Sequence, residues 1–143
     1  MKKENKSLRI IIDTNLWISF LLGKCLSGLH NLIYSEKIVV VTCEEQFIEL
    51  SEVLSRPKLR KYFSEKKVDD FFDLFDESTQ KGGLETISEL CRDPKDNFLV
   101  SLSIDSDADF LLTGDKHLLE LKMINRTRVI TFKEFEELLP LKD

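Results

Sequence analysis

The sequence has few of the features that mark membrane proteins, disulfide-rich proteins or zinc proteins. None of its apolar runs reaches the roughly 18–20 residues that a membrane-spanning helix needs. The N-terminus, MKKENKSLRI, has positive charges but lacks the apolar segment of a signal peptide. Three cysteines without Cys-x-x-Cys spacing argue against a disulfide framework or a zinc site, and two histidines far apart argue against a histidine-based metal site. We therefore expect a cytoplasmic protein whose chemistry does not depend on histidine.

Common nucleotide-binding and nucleophile motifs are absent as well. Without GxGxxG, GxxxxGK[ST] or GxSxG, the dinucleotide-binding, P-loop and nucleophile-elbow enzymes have no support. The acidic run DSDADF resembles the start of an EF-hand calcium loop, but Phe110 stands where that loop needs glycine and Lys116 where it needs glutamate. A solvated loop between a helix and a strand explains this run better.

What the sequence contains is typical of one globular domain. Its 143 residues are 42% apolar and 33% charged, which is enough to bury a core without covalent staples. We expect one domain over residues 1–143, with its core at about 8–139. The net charge of −5 does not indicate a surface made for nucleic acid. The one local exception is the basic stretch RPKLRKYFSEKK, which fits either a phosphate-binding surface or a solvated loop and helix end.

Short apolar runs alternate with amphipathic segments along the whole chain. Such alternation predicts parallel strands joined by right-handed helical crossovers, and hence a three-layer α/β/α sandwich with a mostly parallel central sheet. The predicted strands are 8–12, 37–41, 109–113 and 128–131. The predicted helices are 14–22, 26–34, 44–54, 65–80, 93–104, 115–121 and 133–139.

Two aspartates follow predicted strands directly. Asp13 ends the run RIIID, and Asp115 follows the run DFLLT by one glycine. Functional groups of parallel sheets gather at the carboxyl ends of the strands, so we expect both carboxylates at one edge. Either aspartate alone could simply cap the helix that follows it. Capping does not explain why both carboxylates stand at matching strand ends.

Two further aspartates open the helix that leads into the DFLLT strand. Asp93 suits the N-cap position, and Asp96 stands where an acid favours the helix dipole, so capping could account for both. The start of this helix nevertheless lies at the same edge as Asp13 and Asp115. We favour a functional role for Asp96 and the capping role for Asp93.

Glu49 is the fifth acidic candidate, and helical geometry is what singles it out. On the segment EEQFIELSEVL, Glu45 and Glu52 point away from the predicted apolar stripe, whereas Glu49 lies at its flank and can reach inward. The predicted stripe consists of Phe47, Leu50, Val53 and Leu54.

Carboxylates that converge without histidine repel one another unless a cation lies between them. Oxygen-rich sites favour Mg²⁺ or Mn²⁺. Such a cation lowers the pKa of a bound water and stabilises charge on a phosphoryl oxygen. Hydrolysis of phosphodiester bonds is therefore the leading reaction class.

The order of these segments resembles the PIN domain family. The segments are IIIDTN, EEQFIELSEVLSRPKL, CRDPKDNFLVSLSIDSDADFLLTGDKHLL and RVITFKEF, which together cover about residues 8–139. The pattern is especially similar to the subgroup of PIN toxins from toxin–antitoxin pairs.

This resemblance implies a Mg²⁺- or Mn²⁺-dependent endoribonuclease on a PIN-like, Rossmann-like fold. It implies an acidic quartet of Asp13, Glu49, Asp96 and Asp115, with Asp93 as an additional outer acid and with Asn15 and Thr113 in support. It further implies RNA as the substrate, an antitoxin protein as a partner, and a homodimer. In the basic stretch, we expect contacts with RNA phosphates from Arg56, Lys58, Arg60 and Lys61, with Tyr62 and Phe63 offering rings for base stacking.

Two other interpretations remain open at this point. A haloacid dehalogenase-type phosphatase would use Asp13 as its nucleophile, but it needs a second aspartate where this chain has Asn15. A catalytically silent PIN-like module would bind RNA or a protein without a metal ion. The full acidic set argues against such a module.

Overall fold

One sheet of six strands organises the parts of the chain that the computed structural model describes, residues 7–23, 35–86 and 97–138. The strands lie in the order β3-β2-β1-β4-β6-β5, and every neighbouring pair is parallel except β5 and β6. The strands are β1 (Leu8–Ile12), β2 (Ile38–Thr42), β3 (Thr79–Lys81), β4 (Phe110–Leu112), β5 (Met123–Ile124) and β6 (Thr127–Ile130). The helices are α1 (Thr14–Leu21), α2 (Glu44–Leu54), α3 (Pro57–Arg60), α4 (Glu65–Ser78), α5 (Asn97–Ser106), α6 (Lys116–Leu119) and α7 (Phe132–Leu138).

The isoleucine run of β1 forms the centre of the sheet. Ile11 pairs with Val41 of β2 on one side and with Leu111 of β4 on the other. Ile10 and Ile12 face one apolar core, and Ile11 faces the other. Where a strand is covered on both faces, successive residues must be apolar, which is why Ile10, Ile11 and Ile12 show no alternation.

The two apolar cores on opposite faces of the sheet make the molecule a three-layer sandwich. The first core is aromatic: the ring of Trp17 lies 5.1 Å from that of Phe75 and 6.0 Å from that of Phe71, both on α4. The second core is aliphatic and includes Leu99 and Leu102 of α5. The predicted α/β/α fold with a mostly parallel sheet is thereby confirmed.

Several predicted boundaries differ from those in the structure. Helix α4 ends at Ser78 instead of continuing to residue 80, and the next three residues form the edge strand β3, which was not predicted. The two-residue strand β5 and the short helix α3 were not predicted either, because both are too short to show periodicity. The predicted helix at 26–34 and the start of the one at 93–104 lie outside the described residues.

No helix in residues 7–23, 35–86 or 97–138 is long and apolar enough to cross a membrane.

The aromatic core predicts a large cost for removing one of its rings. Phe75 is 1% exposed and its ring contacts Trp17, Phe71 and Phe72. We expect Phe75→Ala to lower the free energy of unfolding by about 3–5 kcal/mol, because it removes apolar contacts and leaves a cavity. Urea unfolding followed by the fluorescence of Trp17, the only tryptophan, measures the change. Tyr62→Ala is the control, since Tyr62 is 62% exposed, and an equal loss of stability in both variants would contradict this description of the core.

Candidate acidic site at the carboxyl edge of the sheet

Asp13 is a buried carboxylate at the point where β1 ends and α1 begins. It is 3% exposed. Its Oδ1 accepts a hydrogen bond of 3.1 Å from the backbone N–H of Asn15, so Asp13 is the N-cap of α1. Its Oδ2 accepts a 2.5 Å hydrogen bond from the hydroxyl of Thr113. The capping role considered from the sequence is therefore real, but it uses only one of the two oxygens.

Thr113 links Asp13 to Asp115. Parallel pairing of β1 with β4 sets Ile12 beside Leu112, so the residues that follow the two strands meet at the same edge. Thr113 is 1% exposed, and its hydroxyl oxygen accepts the backbone N–H of Asp115 at 2.9 Å while donating its proton to Asp13. A hydroxyl has one proton, so this arrangement fixes the direction of both bonds.

Asp115 caps the helix that follows it, as Asp13 does. Its Oδ1 accepts a 2.7 Å hydrogen bond from the backbone N–H of His117. Its charge acts on Asp13 and raises the pKa of that carboxyl. Asp13 and Asp115 thus cap the helices that follow two neighbouring strands, and their negative charges come close together. Capping alone does not require this proximity.

Glu49 reaches the same region from helix α2. It is half-buried, and its Oε1 accepts a 2.7 Å hydrogen bond from the hydroxyl of Thr14. Its charge also raises the pKa of Asp13. The inward orientation expected from the helical face is what the structure shows, although the most deeply buried positions of α2 are Gln46, Leu50 and Leu54 rather than Phe47 and Val53.

Three polar residues beneath this site were not predicted from the sequence. Thr14, Thr42 and Gln46 are all buried, and they form a hydrogen-bonded chain that leads to Glu49. One signal could have revealed Gln46. It stands one helical turn before Leu50 on the buried stripe of α2, where an uncharged amide needs buried partners.

Burial is the main reason why the pKa of Asp13 is raised above its ordinary value of 3.8. The hydrogen bonds from Thr113 and Asn15 act in the opposite direction, and the charges of Asp115 and Glu49 add to the rise. Asp13 is therefore an electrostatically unfavourable carboxylate that would gain from a nearby cation.

A cleft of about 280 Å³ opens at Asp13 and Asp115. Asn15, Leu16, Ser19 and Gly114 complete its lining. Asn15 contacts this site in two ways, by its backbone N–H on Asp13 and by its position on the wall of the cleft.

The donor chemistry of this cleft fits a hard divalent cation, because all its charged groups are carboxylates. Within residues 7–23, 35–86 and 97–138, however, no three acidic, histidine or cysteine side chains form a group that could hold a metal ion. Asp93 and Asp96 lie outside these ranges. Asp13 and Asp115 line the cleft, and Glu49 lies near enough for its charge to act on Asp13. The three carboxylates do not form a complete ligand set among the described residues.

The basic stretch lies beyond the end of α2. Arg56, Lys58, Arg60 and Lys61 are exposed around the short helix α3. Tyr62 is 62% exposed, but Phe63 is 5% exposed and belongs to the aromatic core. The expectation that Phe63 offers a ring for base stacking is therefore wrong, and only Tyr62 is available for that role.

Comparison with known proteins assigns the chain to a protein family. A family model described as PIN domain matches residues 9–117, a segment that includes Asp13, Glu49 and Asp115. The chain belongs to the PIN domain family. PIN domains are generally nucleases that use divalent metals, and PIN nuclease domains bind RNA.

One curated relative of this PIN domain is an uncharacterized protein of Methanocaldococcus jannaschii. It is 32% identical over 151 aligned positions, which cover 95% of this chain and 94% of the relative. No solved structure matches the chain.

The raised pKa of Asp13 predicts a pH dependence of stability for the metal-free PIN domain. A carboxyl whose pKa is higher in the folded chain contributes stability that is complete below its unfolded value of 3.8 and is lost as the pH rises through the folded-state pKa. We therefore expect wild type to lose free energy of unfolding relative to Asp13→Asn as the pH rises from that value toward neutrality. Urea unfolding at a series of pH values measures the difference.

For Asp105→Asn we expect the pH dependence of stability to differ from that of wild type in the opposite direction. Hydrogen bonds from Thr86 lower the pKa of Asp105, so the stability that it contributes is present above 3.8 and is lost as the pH falls. If the free energy of unfolding relative to wild type changed with pH in the same direction for both variants, the raised pKa of Asp13 would be contradicted.

Proposed function

We propose that this PIN domain is a Mg²⁺- or Mn²⁺-dependent endoribonuclease that hydrolyses phosphodiester bonds in RNA. The observation that carries the proposal is the buried carboxylate of Asp13, whose pKa is raised by burial and by the charges of Asp115 and Glu49. Fold stability alone gives no reason to bring three acids to one sheet edge. Binding of a divalent cation gives such a reason, because the cation offsets the repulsion between the carboxylates.

Asp13, Asp96 and Asp115 are the proposed metal ligands, either directly or through water, and Asp93 is an additional outer acid. Thr113 orients Asp13 by donating to its Oδ2 and holds the Asp115 backbone by accepting its N–H. When bound, the cation would lower the pKa of a water molecule and stabilise charge on the phosphoryl oxygens. Burial of Asp13 strengthens its attraction for a cation, since little water screens its charge.

Glu49 has the second chemical role in this proposal. Its Oε1 accepts the proton of the Thr14 hydroxyl, which keeps the carboxylate oriented as an acceptor. In that orientation it can hold a metal-bound water or take the proton of the water that attacks phosphorus. It stands on α2, a different element from those that carry Asp13 and Asp115, so we propose that it acts on the substrate from the α2 side of the site.

The basic residues Arg56, Lys58, Arg60 and Lys61 are proposed to bind RNA phosphates. Helix α2 starts directly after the carboxyl end of β2. A helix in a crossover between parallel strands ordinarily runs back along the sheet, so we propose that its end carries these residues away from the acidic cleft. An RNA strand that contacts both would therefore lie along α2. Tyr62, exposed beside them, is positioned to stack on a base.

The biological role that we propose is that of the toxin in a toxin–antitoxin pair, working in the cytoplasm, with an antitoxin protein as inhibitor and with a homodimer as its assembly. The support for this role is the ordered set of sequence segments that resembles such toxins. RNA processing is the alternative role for the same activity.

A catalytically silent module that binds RNA or protein is the second candidate function. It is favoured by the fact that both oxygens of Asp13 already have partners within the fold, Oδ1 in the cap of α1 and Oδ2 in the bond from Thr113. Titration with Mn²⁺ separates the two candidates, since a silent module gives no binding near Asp13 and a nuclease gives binding that Asp13→Asn removes.

The nuclease proposal predicts that Asp13→Asn abolishes Mn²⁺-dependent cleavage of single-stranded RNA. We expect a loss of activity larger than the roughly 10- to 100-fold typical of groups that only support a metal ligand. Asp115→Asn should show a similar loss. Cleavage is followed on a 5′-labelled RNA by gel electrophoresis, with and without a chelator.

Asp73→Asn is the matched control, because it makes the same chemical change on the exposed side of α4. It should cleave like wild type. Equal cleavage by wild type and Asp13→Asn would rule out the proposed mechanism.

The basic surface predicts a change in the salt dependence of RNA binding. Replacing Arg56, Lys58, Arg60 and Lys61 with alanine should weaken binding and reduce the log–log salt slope by about 0.7 for each phosphate that is no longer neutralised. Fluorescence anisotropy with a labelled RNA measures both, in an Asp13→Asn background that prevents cleavage. Lys133→Ala, an exposed lysine on α7, is the control. An unchanged slope in the fourfold variant would contradict the proposed RNA path.

A further inference from the structure

A chain of buried polar side chains lies directly beneath the acidic cleft. Gln46 and Thr42 are both 0% exposed, and Thr14 is 4% exposed. A buried amide costs free energy unless its hydrogen bonds are satisfied, so a glutamine within the apolar stripe of α2 needs an explanation. The apolar core offers none, because leucine would fill this position without that cost.

The orientation of the Gln46 amide follows from one neighbour. Its Nε2 lies 2.6 Å from the backbone carbonyl oxygen of Ile12, which can only accept. The amide nitrogen must therefore face Ile12, and the amide oxygen then accepts the hydroxyl proton of Thr42 at 2.6 Å. Both ends of the amide are thus fixed by buried partners.

The second proton of the amide nitrogen determines whether the Thr14 hydroxyl donates or accepts toward Gln46. Gln46 Nε2 lies 3.4 Å from the hydroxyl oxygen of Thr14, so that oxygen accepts from the amide. The hydroxyl proton of Thr14 is then directed to Glu49 Oε1, at 2.7 Å. The chain of donors runs in one direction, from Thr42 through Gln46 and Thr14 to the carboxylate.

Gln46 also connects the two elements that carry the acids. Ile12 immediately precedes Asp13, and Gln46 stands three residues before Glu49 on the same face of α2. One side chain therefore binds the main chain next to Asp13 and, through Thr14, the carboxylate of Glu49. A shift of α2 along β1 would break both bonds.

We propose that Gln46 is a positioning residue that acts through Thr14 to hold Glu49 in register with Asp13. The inference rests on the proposed function and deepens it, because it states how the acid from α2 is set relative to the acid from β1. Thr42 fixes the other end of the Gln46 side chain by donating a hydrogen bond to its amide oxygen. None of the three lines the acidic cleft.

The test measures Mn²⁺ affinity by isothermal titration calorimetry without RNA. Thr14→Val keeps the shape of the side chain and removes the hydroxyl, and Gln46→Met keeps the length and removes the amide. For both we expect Mn²⁺ affinity to fall about 10- to 100-fold, the range typical of groups that orient metal ligands. Thr14→Ser keeps the hydroxyl and should restore wild-type affinity. In cleavage assays the same variants should lower kcat and leave RNA affinity unchanged.

A double variant separates positioning from a general structural effect. If Thr14 acts through Glu49, adding Thr14→Val to Glu49→Gln causes no further loss of Mn²⁺ affinity. Thr127→Val is the matched control, because it removes a buried hydroxyl that donates to the carbonyl of Ala108 in the other core. It should lower the free energy of unfolding and leave Mn²⁺ affinity unchanged.

The outcomes distinguish this inference from the proposed function. If wild type binds Mn²⁺ and cleaves RNA, and if Thr14→Val and Gln46→Met match it in both Mn²⁺ affinity and kcat, the positioning role is wrong and the nuclease proposal stands. Additive losses of affinity in the double variant would also overturn the positioning role. If wild type binds no Mn²⁺, the proposed function fails and the inference fails with it.

Discussion

A single hydrogen bond, from the hydroxyl of Thr113 to the buried carboxylate of Asp13, connects residues 100 positions apart in the sequence. It can form only because β1 and β4 are parallel neighbours, so that the chain leaves both strands at the same edge. Both groups are shielded from water, and burial is what makes the carboxylate costly. The pairing of β1 with β4 brings these two groups together, and Thr113 in turn accepts the backbone N–H of Asp115.

The polar groups around that hydrogen bond oppose the stability of the fold. Asp13 would be easier to bury as a neutral residue, and its acidic neighbours make its charge less favourable still. The aromatic core around Trp17 and the aliphatic core around Leu102 offset this cost, since burial of large apolar side chains is the dominant favourable term. Groups that lower the stability of an otherwise well-packed fold are typical of functional sites rather than of structural ones.

Much of this could be predicted from the sequence because the responsible signals are local. The uninterrupted isoleucines predicted β1, and aspartates at the ends of two strands predicted which edge would be acidic. Thr79–Lys81 and Gln46 were missed for a physical reason. A three-residue edge strand is formed by its pairing with β2, and the need for an amide beneath Glu49 arises from a carbonyl 34 residues earlier. A three-residue strand leaves no periodicity, and the place of Gln46 on the buried stripe of α2 indicates that its amide needs partners without indicating which ones.

The outermost strands of the sheet are very short, three residues in β3 and two in β5. An open edge offers unpaired backbone groups to which a strand of another molecule can add. Here the two edges offer room for very few such bonds, and the left-handed backbone of Lys122 and Asn125 flanks β5 on both sides. Growth of the sheet from molecule to molecule through these two strands is thereby disfavoured.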